Sequence, residues 1–186
     1  MRRSTQDEAE SNVASRLAQR QDSDNAPTLT SDVMVNEVSA VLQSYAGRGV
    51  FQELRRQPMR SDRTAFHFGW LYDQPYTLVC DATRKKLVLT DLFPGVARNS
   101  AMYQELKSFL KSRSQADITE HRRLDPSKSR VAALLRGGAV SLEVAVIDTD
   151  YRYACTKLIH LAHESFLYLS EYWSDYLHHY FQLDME

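Results

Sequence analysis

The chain is 186 residues long, 43% hydrophobic and 25% charged, which suits one soluble domain whose core needs neither disulfide nor metal for stability. Two arginines at the start precede no apolar run, and no stretch reaches the roughly 18 apolar residues of a membrane span, so we expect neither a secretory signal nor a transmembrane helix. The two cysteines, Cys80 and Cys155, form no CxxC motif and fit a reducing compartment, so we predict a cytoplasmic protein without metal or other cofactor.

The net charge of −1 is distributed unevenly. Residues 48–136 contain 17 Lys and Arg against 9 Asp and Glu, whereas residues 1–47 contain 4 against 7 and residues 137–186 contain 2 against 8. A basic middle between acidic ends is compatible with an anionic partner such as a nucleic acid. It is also expected of acidic helices that lie against a basic sheet, and the scatter of the basic residues favours this second interpretation.

The first 29 residues are rich in Ser, Gln, Asp, Glu and Asn and have few sizeable apolar side chains, so we predict a disordered polar tail over 1–29. A single domain over 30–186 follows it. We predict that this domain begins with a helix. Polar residues at 30–32 can cap it, apolar residues follow at helical spacing, and glycines at positions 47 and 49 end it.

A block of three strands is predicted next. In AFHFGWLY, large aromatic residues alternate with other side chains, which is the period of a strand. The segments YTLVCDA and LVLTDLF supply the second and third strands, and DQP and a charged tip at 83–86 supply the turns. The preceding stretch 50–57 fits either another helical turn or a short edge strand.

A helix and a hairpin follow the strand block. Asn99 or Ser100 caps the helix, which carries apolar residues along one side. The hairpin is the clearest of the chain: residues 130–136 and 139–147 alternate in polarity around Gly137-Gly138, a pair that suits a two-residue turn with positive φ.

The final element predicted is a long C-terminal helix over 151–182, a stretch without proline or glycine. Apolar and aromatic residues recur every three or four positions, and Asp148, Thr149 and Asp150 supply a cap. At about 1.5 Å per residue this helix is roughly 45 Å long, more than a small domain covers. We therefore expect it to pack against the sheet, a partner subunit, or both.

These elements predict an α+β domain in the order α-β-β-β-α-β-β-α, with an antiparallel sheet and helices on one side. The order resembles the type III secretion chaperone-like fold, and within it the YbjN-type bacterial proteins described as sensory transduction regulators. Three stretches carry the resemblance: FHFGWLYDQPYTLVCDATRKKLVLTDLFPGV, SAMYQELKSFL and RVAALLRGGAVSLEVAVID. It spans roughly residues 31–182, includes no catalytic motif, and implies a small, non-enzymatic, often dimeric protein that binds other polypeptides.

Two sets of aromatic side chains are candidate binding surfaces. The set on the first predicted strand comprises Phe66, Phe68, Trp70 and Tyr72. On an open sheet face it would bind a peptide or stack on bases, whereas under a helix it forms core, the commoner use of such a row. The set near the end of the last helix, where we expect a homodimer or docking surface, comprises Tyr172, Trp173, Tyr176 and Tyr180.

Two further patterns lead to alternative functions. His160, His163 and Glu164 lie at i, i+3 and i+4 and could converge on a metal, although the polar edge of a packed helix has the same pattern. Three basic stretches could contact phosphates, although solvated surface charge is the commoner explanation. They are Arg55, Arg56, Arg60 and Arg63; Arg84, Lys85 and Lys86; and Arg122 and Arg123.

The sequence contains no phosphate loop, dinucleotide fingerprint or nucleophile motif, so no catalytic residue is assigned. We predict a non-enzymatic module, chaperone-like or regulatory, that acts as a homodimer. It would capture a polypeptide by burying apolar side chains and by strand addition at a sheet edge. The alternatives are a metal-dependent enzyme built on the two histidines and Glu164, and a nucleic-acid binder built on the basic middle.

Overall fold

The structure, a computed structural model, describes residues 31–182, so the tail predicted over 1–29 lies outside the described residues. The first helix, α1, covers 31–47. The strands are β1 (Gln52–Pro58), β2 (Arg63–Trp70), β3 (Gln74–Asp81), β4 (Lys86–Phe93), β5 (Ser129–Arg136) and β6 (Ala139–Val146). The remaining helices are α2 (Ala101–Ser112), α3 (Tyr151–Tyr172) and α4 (Ser174–Phe181).

The strands form one antiparallel sheet in the order β1-β2-β3-β4-β6-β5. The inward positions of the central strands, such as Leu78, Leu89 and Leu142, lie opposite one another and are fully buried in one core with the helices. The predicted α+β class, with an antiparallel sheet and helices on one side, is confirmed.

The stretch that the sequence left open between helix and strand is strand β1. It pairs with β2 through Arg55–Pro58 and has a bulge between Gln52 and Arg55. Phe51, just before it, is buried and stacks on Phe68 with ring centroids 4.3 Å apart. This aromatic contact fixes the start of the strand over the core.

The aromatic alternation predicted for the first strand ends one residue pair earlier than expected. Strand β2 stops at Trp70, and Leu71–Asp73 form a 3-10 turn in which Tyr72 has a φ of 59°. The turn directs the Tyr72 ring towards Phe166 and Phe181, 5.6 and 5.8 Å away between centroids. Tyr72 therefore does not belong to the strand row.

The long C-terminal helix is broken. Trp173 leaves helical geometry, with φ −139° and ψ 43°, and separates α3 from α4. The break turns α4 back onto the core, where Phe181 packs edge-on against Phe166 at 5.1 Å, and where Leu177 is fully buried. A straight helix would have carried these apolar side chains beyond the core, so burial of Leu177 and Phe181 accounts for the break.

Both cysteines are free and buried, Cys80 in β3 and Cys155 on α3. Burial raises the pKa of the Cys80 thiol to about 12 and also raises that of Cys155, since an apolar environment disfavours the thiolate. Neither thiol is therefore activated as a nucleophile. Within 31–182, none of the helices is long and apolar enough to cross a bilayer.

Candidate functional site

Strand β5 is an edge of the sheet whose outer backbone groups are largely unpaired. Because Gly137 and Gly138 form a two-residue turn, Arg136 and Ala139 face each other as a hydrogen-bonded pair, and the pairing alternates from there. The N–H and C=O groups of Val131, Ala133 and Leu135 consequently point away from β6. Those of Val131 have no hydrogen-bond partner within residues 31–182.

A groove of about 560 Å³ runs between this edge and helix α2. Its walls are Lys107, Leu110, Lys111, Ser114, Pro126, Ser129, Arg130, Val131, Ala132 and Ala133. The Ser100 hydroxyl caps α2 by accepting from the N–H of Tyr103 at 3.2 Å. Because α2 buries Met102 and Leu106 in the core, its lysines are left at the side that faces the groove.

One hydrogen bond closes part of the edge. The Tyr103 hydroxyl donates to the carbonyl oxygen of Ala133 at 3.2 Å, and Lys107 lies over the Tyr103 ring with Nζ 4.8 Å from its centroid. A strand added to β5 would have to replace this hydroxyl at Ala133. At Val131 it would meet backbone groups that have no hydrogen-bond partner among the described residues.

The beginning of β5 is held by a turn at Asp125. The Asp125 carboxylate accepts from the N–H and the hydroxyl of Ser127 at 2.9 and 2.6 Å, and the Asp125 carbonyl accepts from the N–H of Ser129 at 3.0 Å. The hydrogen bonds from Ser127 lower the pKa of Asp125. Since the N–H of Ser129 is already bonded, any added strand must stop pairing there.

Helix α3 braces the same turn. The N–H of Asp125 donates to the Tyr153 hydroxyl at 2.7 Å, and the Lys128 ammonium lies 3.0 Å from the Asp150 carboxylate. Asp150 also caps α3 by accepting from the N–H of Tyr153 at 3.0 Å. This backbone hydrogen bond and the Lys128 ammonium lower the pKa of Asp150.

A second cavity, of about 420 Å³, adjoins the groove and shares Ser114 and Pro126 with it. Its other walls are Ala116, Glu120, Arg123, Asp125, Tyr153 and Lys157. Lys157 is only 8% exposed and donates from Nζ to the carbonyl oxygen of His121 at 2.7 Å. Burial lowers the pKa of this lysine, and the nearby Glu164 carboxylate opposes that shift.

The aromatic row proposed for the sheet face lies in the core. Phe66, Phe68 and Trp70 are 1%, 3% and 8% exposed, and they pack under the helices. Tyr72, in the turn after β2, is 37% exposed and touches α3 and α4 through its ring. The three buried rings offer no surface to a partner in this conformation.

The four rings proposed for the docking surface have two different roles. The Trp173 indole donates to Glu105 at 2.8 Å, and the Tyr176 hydroxyl donates to the Pro94 carbonyl at 2.7 Å, so both tie α4 to the body of the protein. Tyr172 is 59% exposed and Tyr180 is 38% exposed. Only these two of the four present much ring surface to solvent.

The structure does not bring His160, His163 and Glu164 together as ligands. The Glu164 carboxylate contacts Arg122 at 2.7 Å and Arg113 at 3.4 Å. The ring of His160 is hydrogen-bonded to the Tyr45 hydroxyl at 3.1 Å, and His163 is exposed. Across residues 31–182, no three His, Cys, Asp or Glu side chains are grouped so as to hold a metal ion.

Several members of the basic stretches are paired with carboxylates. Arg55 contacts Glu53 at 2.9 Å, in an exposed pair, and Lys86 contacts Glu143 at 2.7 Å on the outer face of the sheet. Arg122 is engaged by Glu164. Arg63, Arg84 and Lys86, from two of the stretches, line one cavity on the outer face of the sheet together with Arg136 and the carboxylates of Asp81, Asp91 and Glu143.

The groove and the lysine beside it were not among the sites predicted from the sequence. Two signals were present: the centre of β5, VAALL, lacks the charges and proline that usually protect an edge strand, and Lys157 interrupts the buried stripe of α3. Their importance depends on β5 being an edge strand, which only the fold reveals.

Comparison of the chain with protein-family models, with curated proteins and with solved structures finds no match.

Proposed function

We propose that this protein is a non-enzymatic polypeptide-binding module that accepts an extended segment as an added strand along β5. The observation that carries the proposal is the backbone of Val131, which has no hydrogen-bond partner within residues 31–182 and lies beside a groove of about 560 Å³. Main-chain hydrogen bonds to an exposed edge provide affinity for any extended chain, and pockets for alternate side chains provide selectivity.

The groove also defines the chemistry of its partner. Val131 and Ala133 supply apolar contacts, while Lys107 and Lys111 line the side formed by α2. A segment that alternates apolar side chains with Asp or Glu would satisfy both. Such charge complementarity speeds association and selects among partners more than it adds affinity.

The YbjN-like resemblance agrees with this proposal, because it implies a chaperone-like or regulatory protein that binds polypeptides. Self-association is a separate part of the proposal. Its surface would centre on the exposed side chains Leu167 and Tyr172 of α3, which are 53% and 59% exposed. Sedimentation velocity of the L167Q/Y172S variant tests it, and an unchanged oligomeric state would remove these residues from any dimer interface.

The binding proposal is tested with an array of synthetic eight-residue peptides that alternate Val or Leu with Asp, Glu or Ser. The best-binding peptide is then titrated into ¹⁵N-labelled protein. We expect amide shifts concentrated at 129–135 and 107–114. Shifts concentrated on β1 or on α4, or an array without any bound peptide, would overturn the proposal.

A further inference from the structure

We infer that the cavity at the end of the groove binds the C-terminal carboxylate of the captured polypeptide, so that the protein selects free C-termini. The inference rests on the proposed strand addition at β5, and it identifies the class of partner. It is argued from the position of the cavity relative to the groove, and from the hydrogen bonds and salt bridges that the charged groups in the cavity do and do not form.

Chain direction places a C-terminus at this cavity. A strand added antiparallel to β5, the slightly more stable arrangement, runs from Leu135 towards Ser129. Pairing must stop at Ser129, because its N–H is bonded to the Asp125 carbonyl. The next space along that path is the cavity, which shares Ser114 and Pro126 with the groove.

The cavity contains cationic donors that form no salt bridge with any residue the structure describes. Lys157 is 92% buried, since its exposed fraction is 8%, and within residues 31–182 its ammonium forms no salt bridge. One of its N–H groups bonds to the His121 carbonyl and Nζ lies 5.4 Å from the centroid of the Tyr153 ring, so its other two N–H groups have no oxygen acceptor among these residues. Burying an ammonium group without a hydrogen-bond acceptor for each N–H raises the free energy of the folded protein, and a bound carboxylate would lower it again by accepting those hydrogen bonds.

Two other groups can contribute to the same carboxylate. Arg123 makes one long contact, 3.5 Å to the Ala116 carbonyl, and no ion pair within 31–182. The Tyr153 hydroxyl accepts from the Asp125 N–H, so its own hydrogen remains available to donate. The donor set therefore consists of an ammonium, a guanidinium and a phenol.

The acidic residues of the cavity limit the charge of the ligand. Asp125 is occupied by Ser127 at 2.6 and 2.9 Å, and Glu120 lies exposed at the rim. Two carboxylates beside two cations make the cavity neutral overall. A carboxylate adds one negative charge to this neutral set, whereas a phosphate group adds nearly two at neutral pH, so phosphate is the more strongly disfavoured of the two.

The test compares the best peptide of the array as its free acid and as its C-terminal amide, by fluorescence polarisation with wild-type protein. We expect the amide to bind at least about tenfold more weakly, as for loss of a charge-assisted hydrogen bond. Equal affinity of acid and amide would overturn the inference. Because this comparison uses the wild-type protein, its result does not depend on whether a variant folds.

Two variants test whether the preference for the free-acid peptide arises in the cavity. Lys157→Met should abolish the preference for the acid while retaining the weaker binding of the amide, and Arg123→Gln should reduce that preference. The control Lys111→Met, in the groove, should weaken acid and amide alike and keep their ratio. Retention of the full acid preference in Lys157→Met would assign the carboxylate to another place and overturn the inference.

Failure of this inference is distinguishable from failure of the proposed function. If the free-acid and amide peptides bind the wild-type protein equally, and both bind less well to a Val131→Pro variant, strand addition is supported and carboxylate recognition is excluded. If Val131→Pro binds the peptide as wild type does, strand addition itself falls and the inference falls with it.

Discussion

Strand β1 ends one side of the sheet with a bulge at Glu53, whose φ is 50°, and with Pro58, whereas β5 ends the other side with a regular run of apolar residues. Because the N–H of Met59 bonds to the Arg63 carbonyl, the alternation of pairs leaves the backbones of Arg56 and Pro58 pointing outwards. Proline has no N–H to offer there, and bulges and charges discourage pairing with another chain.

Strand β5 has none of these protections between 131 and 135. Its edge is instead recessed behind α2, and its beginning is held by the Asp125 turn and by Tyr153. From this difference we expect β1 to discourage an added strand, and β5 to accept one within the groove.

The largest effect is expected from Val131→Pro. The substitution removes an outward N–H that takes no part in the β5–β6 ladder, so the sheet should persist while an added strand loses a central hydrogen bond. We expect the affinity of the array-selected peptide to fall at least about tenfold, as measured by fluorescence polarisation.

The matched control is Arg56→Pro, which removes an outward N–H from β1. Its binding should stay within about twofold of wild type. Circular dichroism of both variants should match that of the wild-type protein. An equal loss of affinity in the two variants would show that the edges do not differ in function.

The next largest effect is expected from charge reversal in the groove, Lys111→Glu. An acidic peptide should bind about fivefold more weakly at low ionic strength, and the difference should shrink at high salt because rim charges are screened. Arg55→Glu on β1 serves as its control. If the two reversals have equal effects, net charge and not the groove governs binding.

A smaller change of opposite sign is expected from Tyr103→Phe. The hydroxyl of Tyr103 must leave the Ala133 carbonyl when a strand is added, so its removal should strengthen peptide binding by about threefold. Tyr45→Phe, which also removes one hydrogen-bonded hydroxyl, should change nothing. Weaker binding by Tyr103→Phe would mean that the hydroxyl contacts the peptide instead of competing with it.

The smallest effect concerns the anchor of β5. The pKa of Asp150 is held below its ordinary value, so the stability it contributes is present above roughly pH 4 and is lost as the pH falls through the lower folded value. Asp150→Asn should therefore lower the free energy of unfolding by less than about 1 kcal/mol at pH 7, and by less still at pH 3. Urea denaturation at the two pH values measures the difference.

On β1, Glu53→Gln breaks only an exposed ion pair with Arg55 and should change stability at neither pH. If Asp150→Asn costs the same at pH 3 as at pH 7, the carboxylate charge does not support the anchor of β5.

Local pattern was sufficient for the fold class, because alternation along the strands and the glycine pair at 137–138 are encoded by near neighbours. It was insufficient at Trp173, where the helix breaks so that Phe181 can reach Phe166. It also could not identify the edge strands, since the pairing of β4 with β6 joins residues far apart in sequence. The candidate site depends on that pairing, which places β5 outermost.

The two buried thiols provide a way to follow every one of these variants. Cys80 and Cys155 are 0% exposed, in β3 and α3, so an alkylating reagent can reach them only after the helix separates from the sheet. The rate of alkylation under native conditions therefore reports how often the core opens. Mass spectrometry of the labelled protein distinguishes variants that lose their peptide from variants that loosen the whole domain.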